Sequence, residues 1–261
     1  MLVVAYIGFG NSVCRYHLPY VERRKDTIKV KYIYRRVEDR IGDEERETWY
    51  PHITFTSDLD EVMNDQEVNL IVVNTPDGFH TYYTKMAIEH GKNCLCEKPF
   101  ALNYTQAKEM IELATEKHIL LAEAMWMRYQ PLAAKIIELI NDGVIGKPRL
   151  LLANKGEADL APEGLNPATG GSTLLNMGVY TINDAFLAFG SNVLNISTSR
   201  IMLESGTDGA NSITLEYPDG KLAILSSSLI APTGNRWYIC GENGMLEIKG
   251  LSRLQSITQY N

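Results

Sequence analysis

The sequence predicts an α/β fold in two parts: an N-terminal doubly wound parallel sheet, then an α+β domain with a largely antiparallel, open sheet. Three observations predict it. Through the first half, apolar runs without strict alternation are separated by helix-like stretches, the pattern of strands buried on both faces. Gly8-Phe9-Gly10 follows the first of these runs directly, as a strand-to-helix turn would. In the second half, short alternating segments joined by hairpin-type turns take over. The two parts are expected at residues 1–122 and 123–261.

Leu2 to Ile7 reads as a buried first strand. The polar stretch to about Arg24 reads as a helix that Pro19, lacking an N–H, must bend or restart. Ile28 to Tyr34 is a second strand, and Asp58 to Met63 a short helix with acids in its first turn. Leu70 to Val73 is a strand stopped by Asn74-Thr75-Pro76, and Phe79 to Glu89 a helix with Gly91 just past its end. Asn93 to Glu97 is again a strand. Asn103 and Gln106 resemble a capping box that opens a helix to about Lys117, and Ile119 to Glu123 closes the series.

A helix from Pro131 to Gly143 begins the second part, followed after Pro148 by a strand and by a Gly-, Pro- and Ala-rich loop, Gly156 to Gly171. Ser172 to Phe189 reads as one helix despite Gly178. Ile196–Leu203, Ser212–Tyr217, Leu222–Leu229, Trp237–Cys240 and Met245–Ile248 are expected strands. Pro218-Asp219-Gly220 and Glu242-Asn243-Gly244 have the chemistry of the turns between them.

Composition narrows the function. The 261 residues are 45% hydrophobic and 22% charged, ordinary globular usage that argues against disorder. Asp and Glu outnumber Lys and Arg, 32 to 25, so the basic face of a nucleic-acid binder is not expected. The apolar runs are far shorter than a membrane span, and the start at Met1 carries no leader pattern. Cys14, Cys94, Cys96 and Cys240 are too scattered for a disulfide framework, which suits a cytoplasmic address. Cys94 and Cys96 fall on one side of a strand, as buried thiols do. No His or Cys spacing resembles a metal site.

The chemistry sits at the expected strand ends. In Gly8-Phe9-Gly10, Gly8 permits the tight turn and Gly10 lets backbone N–H groups approach a pyrophosphate, with Asn11 and Ser12 next in the turn. Val13 occupies the third glycine position, so the fingerprint is incomplete. Tyr34-Arg35-Arg36 offers two cations where an NAD site favours an acid. That suits the 2′-phosphate of NADP, although Glu38 and Asp39 keep NAD open. Asn74-Thr75-Pro76, with His80 beyond it, and Glu97-Lys98-Pro99 end parallel strands, where the ligand crevice of such sheets lies. An ammonium at Lys98 can polarise an alcohol or carbonyl oxygen there. A surface lysine and a loop-packing histidine are the plain alternatives.

Together with Gly170-Gly171-Ser172-Thr173-Leu174-Leu175-Asn176-Met177-Gly178, these motifs resemble the Gfo/Idh/MocA family of NAD(P)-dependent oxidoreductases over roughly residues 1–250. Glu123-Ala124-Met125-Trp126 with Tyr180 is most similar to its dihydrodiol dehydrogenase branch. The resemblance implies a Rossmann domain that binds the nucleotide through Gly8, Phe9, Gly10, Asn11, Ser12, Arg35, Arg36, Asn74, Thr75, Pro76, His80, Glu97 and Lys98. It implies Lys98 as the catalytic lysine and a second domain whose open sheet pairs into a homodimer or higher homo-oligomer. The sugar-oxidising Asp and His of the family are Asn176 and Tyr180 here, and a further frequent Asp is Asn183, with Asp184 one step round the helix.

The resemblance therefore implies Tyr180 as acid/base, its phenol made more acidic by Lys98, and Lys98, Trp126, Asn176 and Tyr180 as the substrate site. The substrate expected is a small sugar, polyol or cyclic diol. Compared with the family, the second domain is expected to be shortened, with an edge or surface covered by a dimer partner. That, with Asn176 and Asn183, keeps a rival open: a catalytically inactive NAD(P)-binding sensor or partner subunit.

Overall fold

The apolar runs of the first half become parallel strands because each is covered on both sides. In the computed structural model, which describes residues 1–42, 44–158 and 165–261, the chain divides into two units, Met1–Ala124 and Met125–Asn261. The first contains β1 (Leu2–Ile7), α1 (Leu18–Val21), β2 (Ile28–Tyr34), α2 (Val37–Arg40), α3 (Glu44–Thr48), β3 (Thr54–Thr56), α4 (Leu59–Asn64), β4 (Leu70–Val73), α5 (His80–Glu89), β5 (Asn93–Cys96), α6 (Tyr104–Glu116) and β6 (Leu121–Glu123). Its strands form one sheet in the order β3-β2-β1-β4-β5-β6, every neighbouring pair parallel.

Side chains alternate between the two faces. Ala5, Ile7, Ile71, Val73, Cys94 and Cys96 pack with Val62, Ala87 and Met110 of the helices on one side. Val4, Tyr6 and Val72 pack with Val13, Leu18 and Val21 on the other. The strand order reverses between β1 and β4, the switch point beyond whose carboxyl ends ligands bind in sheets of this type.

Several local expectations change in detail. Pro19 does restart the helix: a wide π-type turn, Val13–His17, precedes α1, and Pro19 stands in the first turn of α1, where a missing N–H breaks no bond. Asn103 caps α6 by accepting the Gln106 N–H at 3.0 Å, but Gln106 Oε1 accepts from the Leu102 N–H at 3.1 Å, so the box closes one residue early. The strand expected over 119–123 starts at Leu121. The short helices α2 and α3 and the edge strand β3 lie in a polar stretch where no apolar period announced them.

The second unit contains α7 (Pro131–Asn141), β7 (Pro148–Gly156), α8 (Val179–Phe189), β8 (Asn195–Met202), β9 (Asp208–Tyr217), β10 (Lys221–Ser228), β11 (Arg236–Gly241), β12 (Gly244–Lys249) and β13 (Ser256–Tyr260). The sheet order is β13-β12-β11-β7-β10-β9-β8, and β7 with β10 is the parallel pair in an otherwise antiparallel set. Leu151, Ala153, Ala223, Leu225, Trp237 and Ile239 make the core with α7 and α8, while Leu150, Leu152, Leu222, Ile224 and Tyr238 alternate to the other face. The expected helix over 172–189 begins as a π-type turn, Leu174–Gly178, and turns α-helical at Val179. β13 was not expected from the sequence; its polar residues pair with β12 through the backbone. Residues 159–164 of the Gly156–Gly171 loop lie outside the described residues.

Candidate active site

At the carboxyl end of β1, Gly8 has φ +108°, and a Cβ there would stand 2.5 Å from the Asn74 carbonyl oxygen. The turn and the close approach of β4 both require glycine. Gly10 is different: a Cβ would meet nothing within 4 Å, so the chain's own packing does not ask for a glycine at that position. The Phe9 side chain is buried against Phe55 and Tyr50, and any contact it makes with a ligand is through its backbone. Arg46, which no motif marked, donates to the Phe9 carbonyl at 3.3 Å and lies with its guanidinium 4.7 Å from the Phe9 ring centre. Val13, at the third glycine position, is fully buried and packs the turn onto the sheet.

At the end of β4, Asn74 donates to Ser12 Oγ at 3.2 Å, joining the two strand ends. Asn74 Oδ1 and Thr75 Oγ1 are buried without a hydrogen-bond partner. Unpaired buried polar atoms cost roughly 1–3 kcal/mol each, a penalty that a polar ligand at these loops offsets. The glycine turn, the open space at Gly10 and these two atoms fit a dinucleotide. Pro76 is exposed on the same loop; Asn11 is exposed after the turn.

The next loop carries Lys98. His17 Nε2 lies 2.9 Å from Glu97 Oε1, and Glu97 Oε2 accepts the Lys98 N–H at 3.1 Å. His80, 1% exposed, has Nδ1 2.7 Å from the Pro99 carbonyl oxygen and Nε2 3.0 Å from that of Thr75. Burial pushes the Asp77 carboxyl above the usual range, while the positive charges of His80 and Lys98 pull it back. Lys98 itself is half-buried. Cys94 and Cys96 are buried below this loop, and burial raises the Cys94 thiol to about 12 and Cys96 likewise upward, so both are inert core groups.

The arginine pair splits. Arg36 is held by Asp39 through Nε at 2.8 Å and Nη2 at 3.0 Å, with Glu38 at 3.2 Å, and its guanidinium stands 5.6 Å from the Phe79 ring centre. Its charge is matched within its own turn. Arg35 turns the other way, its guanidinium 6.0 Å from the Phe9 ring centre at the glycine turn.

In the second unit, Tyr180 is 6% exposed and its hydroxyl accepts from Trp126 Nε1 at 3.2 Å. Asn183 accepts from Arg128 at 3.1 Å and donates to the Val179 carbonyl at 2.9 Å. Asn176 stands in the π-type turn one turn before Tyr180, half-buried. Asp208 anchors this whole segment. Its carboxylate accepts from Ser172 Oγ at 2.7 Å, the Thr173 N–H at 3.0 Å, the Leu174 N–H at 2.9 Å and Asn211 Nδ2 at 2.8 Å. Sequence reading missed Asp208 because the anchor lies more than thirty residues from the Ser172–Leu174 segment it holds. Asp184 does not stand in for the acid missing at 183. It is fully buried, neither carboxyl oxygen has a partner, and burial pushes it well above the usual carboxylate range.

Among the described residues, no group of three or more His, Cys, Asp or Glu is placed to hold a metal ion, and no helix is long and apolar enough to cross a membrane.

Residues 2–124 match the family model described as an oxidoreductase family with an NAD-binding Rossmann fold, and residues 133–247 match the GFO/IDH/MocA C-terminal domain. The chain is similar to the uncharacterized oxidoreductase YhhX of Escherichia coli, 33% identical over 98% of this chain and 74% of that protein. A crystal structure of a probable oxidoreductase yhhX superposes with a TM-score of 0.81 at 31% identity, covering 96% of this chain and 72% of the other. The trans-1,2-dihydrobenzene-1,2-diol dehydrogenase of Xenopus laevis is 33% identical over 72% of this chain and 58% of its own length. The D-xylose 1-dehydrogenase (NADP(+)) of Hypocrea jecorina is 36% identical over 48% of this chain and 35% of its own length. The chain thus spans little more than half of the dihydrodiol dehydrogenase and about a third of the xylose enzyme. Both halves, each with its own domain model and its own part of the motif set, make this chain a member of the Gfo/Idh/MocA family of NAD(P)-dependent oxidoreductases.

Proposed function

We propose that this chain is an NADP-linked oxidoreductase acting on the carbinol or carbonyl of a small sugar, polyol or cyclic diol. The observation that carries the reading is the fixed phenol of Tyr180: a nearly buried hydroxyl whose oxygen already accepts one hydrogen bond, from Trp126. A phenol hydroxyl can give its proton, or take one when ionised. When bound, the nicotinamide nucleotide supplies the acceptor or donor of hydride. In the oxidation direction Tyr180 takes the hydroxyl proton of the substrate, and the Lys98 ammonium stabilises the developing charge on that oxygen. Asn176 orients a substrate hydroxyl, and Trp126 both lines the site and steadies Tyr180.

Arg35 and Arg36, directly after β2 where an NAD site favours an acid, support NADP over NAD. The NADP(+)-named xylose dehydrogenase among the relatives supports the same choice. The uncovered sheet face, with Ile224 42% exposed among Leu150, Leu152 and Leu222, supports self-association there. Four free thiols support a reducing, cytoplasmic setting.

Fluorescence titration with NADPH and NADH, followed by appearance of the reduced nicotinamide band when NADP+ or NAD+ is mixed with a sugar, polyol and diol panel, tests the reading. Tighter NADPH binding and turnover of at least one alcohol are expected, with light scattering showing more than a monomer. Failure to bind either nucleotide contradicts it. Binding with no turnover on any panel member favours the sensor, the reading that Asn176 and Asn183 support.

A further inference from the structure

His80 makes two contacts that packing alone does not explain. Both ring nitrogens of this buried imidazole face backbone carbonyl oxygens, Pro99 at 2.7 Å and Thr75 at 3.0 Å. A carbonyl only accepts, so each contact needs a ring N–H: the singly protonated ring serves one carbonyl and the doubly protonated ring serves both. The carbonyls belong to different loops. Thr75 lies just past β4, and Pro99 directly follows Lys98 at the end of β5. A second histidine works from the preceding side of Lys98. His17 holds Glu97 Oε1 at 2.9 Å and lies 3.5 Å from Asn74 Nδ2, and the other Glu97 oxygen accepts the Lys98 N–H.

We infer that His80 is a positioning residue for Lys98, tying the 97–99 loop to the 74–76 loop and so setting where the ammonium stands. The residue before Lys98 is held through a side chain and the residue after it through its carbonyl, so the backbone on both sides of the lysine is braced. A side chain of equal bulk fills the same space, but only one with donors reaches the carbonyls. Misplacement of a reacting group by about 1 Å costs on the order of a hundredfold in rate, which makes such a brace worth having.

The kinetic part of this inference rests on the oxidoreductase reading above; the structural part does not. His80→Gln, which keeps an amide donor, and His80→Leu, which has none, are compared with the wild-type chain. Amide hydrogen exchange, measured without nucleotide or substrate, is expected to speed at least about tenfold over residues 97–100 in His80→Leu, less in His80→Gln, and not in β1. Turnover of the alcohol found with the panel is expected to fall at least about tenfold in His80→Leu and less in His80→Gln. Unchanged exchange at 97–100 in a folded His80→Leu overturns the inference, as does equal, chain-wide acceleration in both variants. Should His80→Leu fail to fold, the ring N–H protons of the wild type decide: slow exchange with water supports the tie, and exchange at the solvent rate contradicts it. A wild type that turns over nothing removes the oxidoreductase reading and leaves the exchange result to judge His80.

Discussion

The two halves present their key side chains by opposite means. Lys98 stands on a loop between parallel strands and is fixed by contacts to its immediate neighbours in sequence, through Glu97 and Pro99. Tyr180 stands on a helix whose start is held by one distant carboxylate, Asp208, through three hydrogen bonds, with a fourth from Asn211. The first arrangement spreads its support over several residues of a short motif. The second concentrates it in a single side chain, so the second half should be far more sensitive to one substitution.

Asp208→Ala is the sharpest way to break the comparison. It leaves Thr173 N–H, Leu174 N–H, Ser172 Oγ and Asn211 Nδ2 without their shared acceptor. A loss of about 3 kcal/mol is expected, from a charged acceptor shared by several donors, read as a lowered midpoint in thermal or urea unfolding. A midpoint unchanged from wild type would show that the helix start is held by something else.

Asp184 offers a smaller effect of opposite sign. Its carboxyl is neutral when buried, and folding lifts it above its range in the unfolded chain. The folded protein therefore keeps a proton that the unfolded chain releases. The corresponding stability is fully present below about pH 4 and falls as pH rises from there toward the folded value. Asp184→Asn, neutral at every pH, should match wild type near pH 4 and exceed it by a margin that grows as pH rises toward 8. Parallel stability curves for the two proteins from pH 4 to pH 8 would mean that Asp184 is not the buried neutral acid described.

The same contrast explains what could be read from the chain alone. β1, β4 and β5 were legible because strands buried on both faces must be apolar throughout, and Asn74-Thr75-Pro76 and Glu97-Lys98-Pro99 announce their ends. Lys98 could be singled out for the same reason, a motif local in sequence. Asp208 and Arg46 could not, since each acts on residues more than thirty positions away and neither sits in a periodic pattern. β13 was missed because its polar residues give no alternation; backbone pairing with β12 defines it. The division of the arginine pair was equally hidden, for only the folded turn shows Arg36 facing Asp39 and Arg35 facing Phe9.

Under the proposed reading, Lys98 and Tyr180 both act in the oxidation of the substrate alcohol. Oxidation of the alcohol found with the panel is measured for Lys98→Met, Tyr180→Phe and the double variant at saturating NADP+. Each single change is expected to cost on the order of a hundredfold or more with NADPH binding nearly unchanged, and the double variant little more than the worse single one, as for groups acting as a unit. Losses that multiply in the double variant, or full turnover in either single variant, would contradict the account.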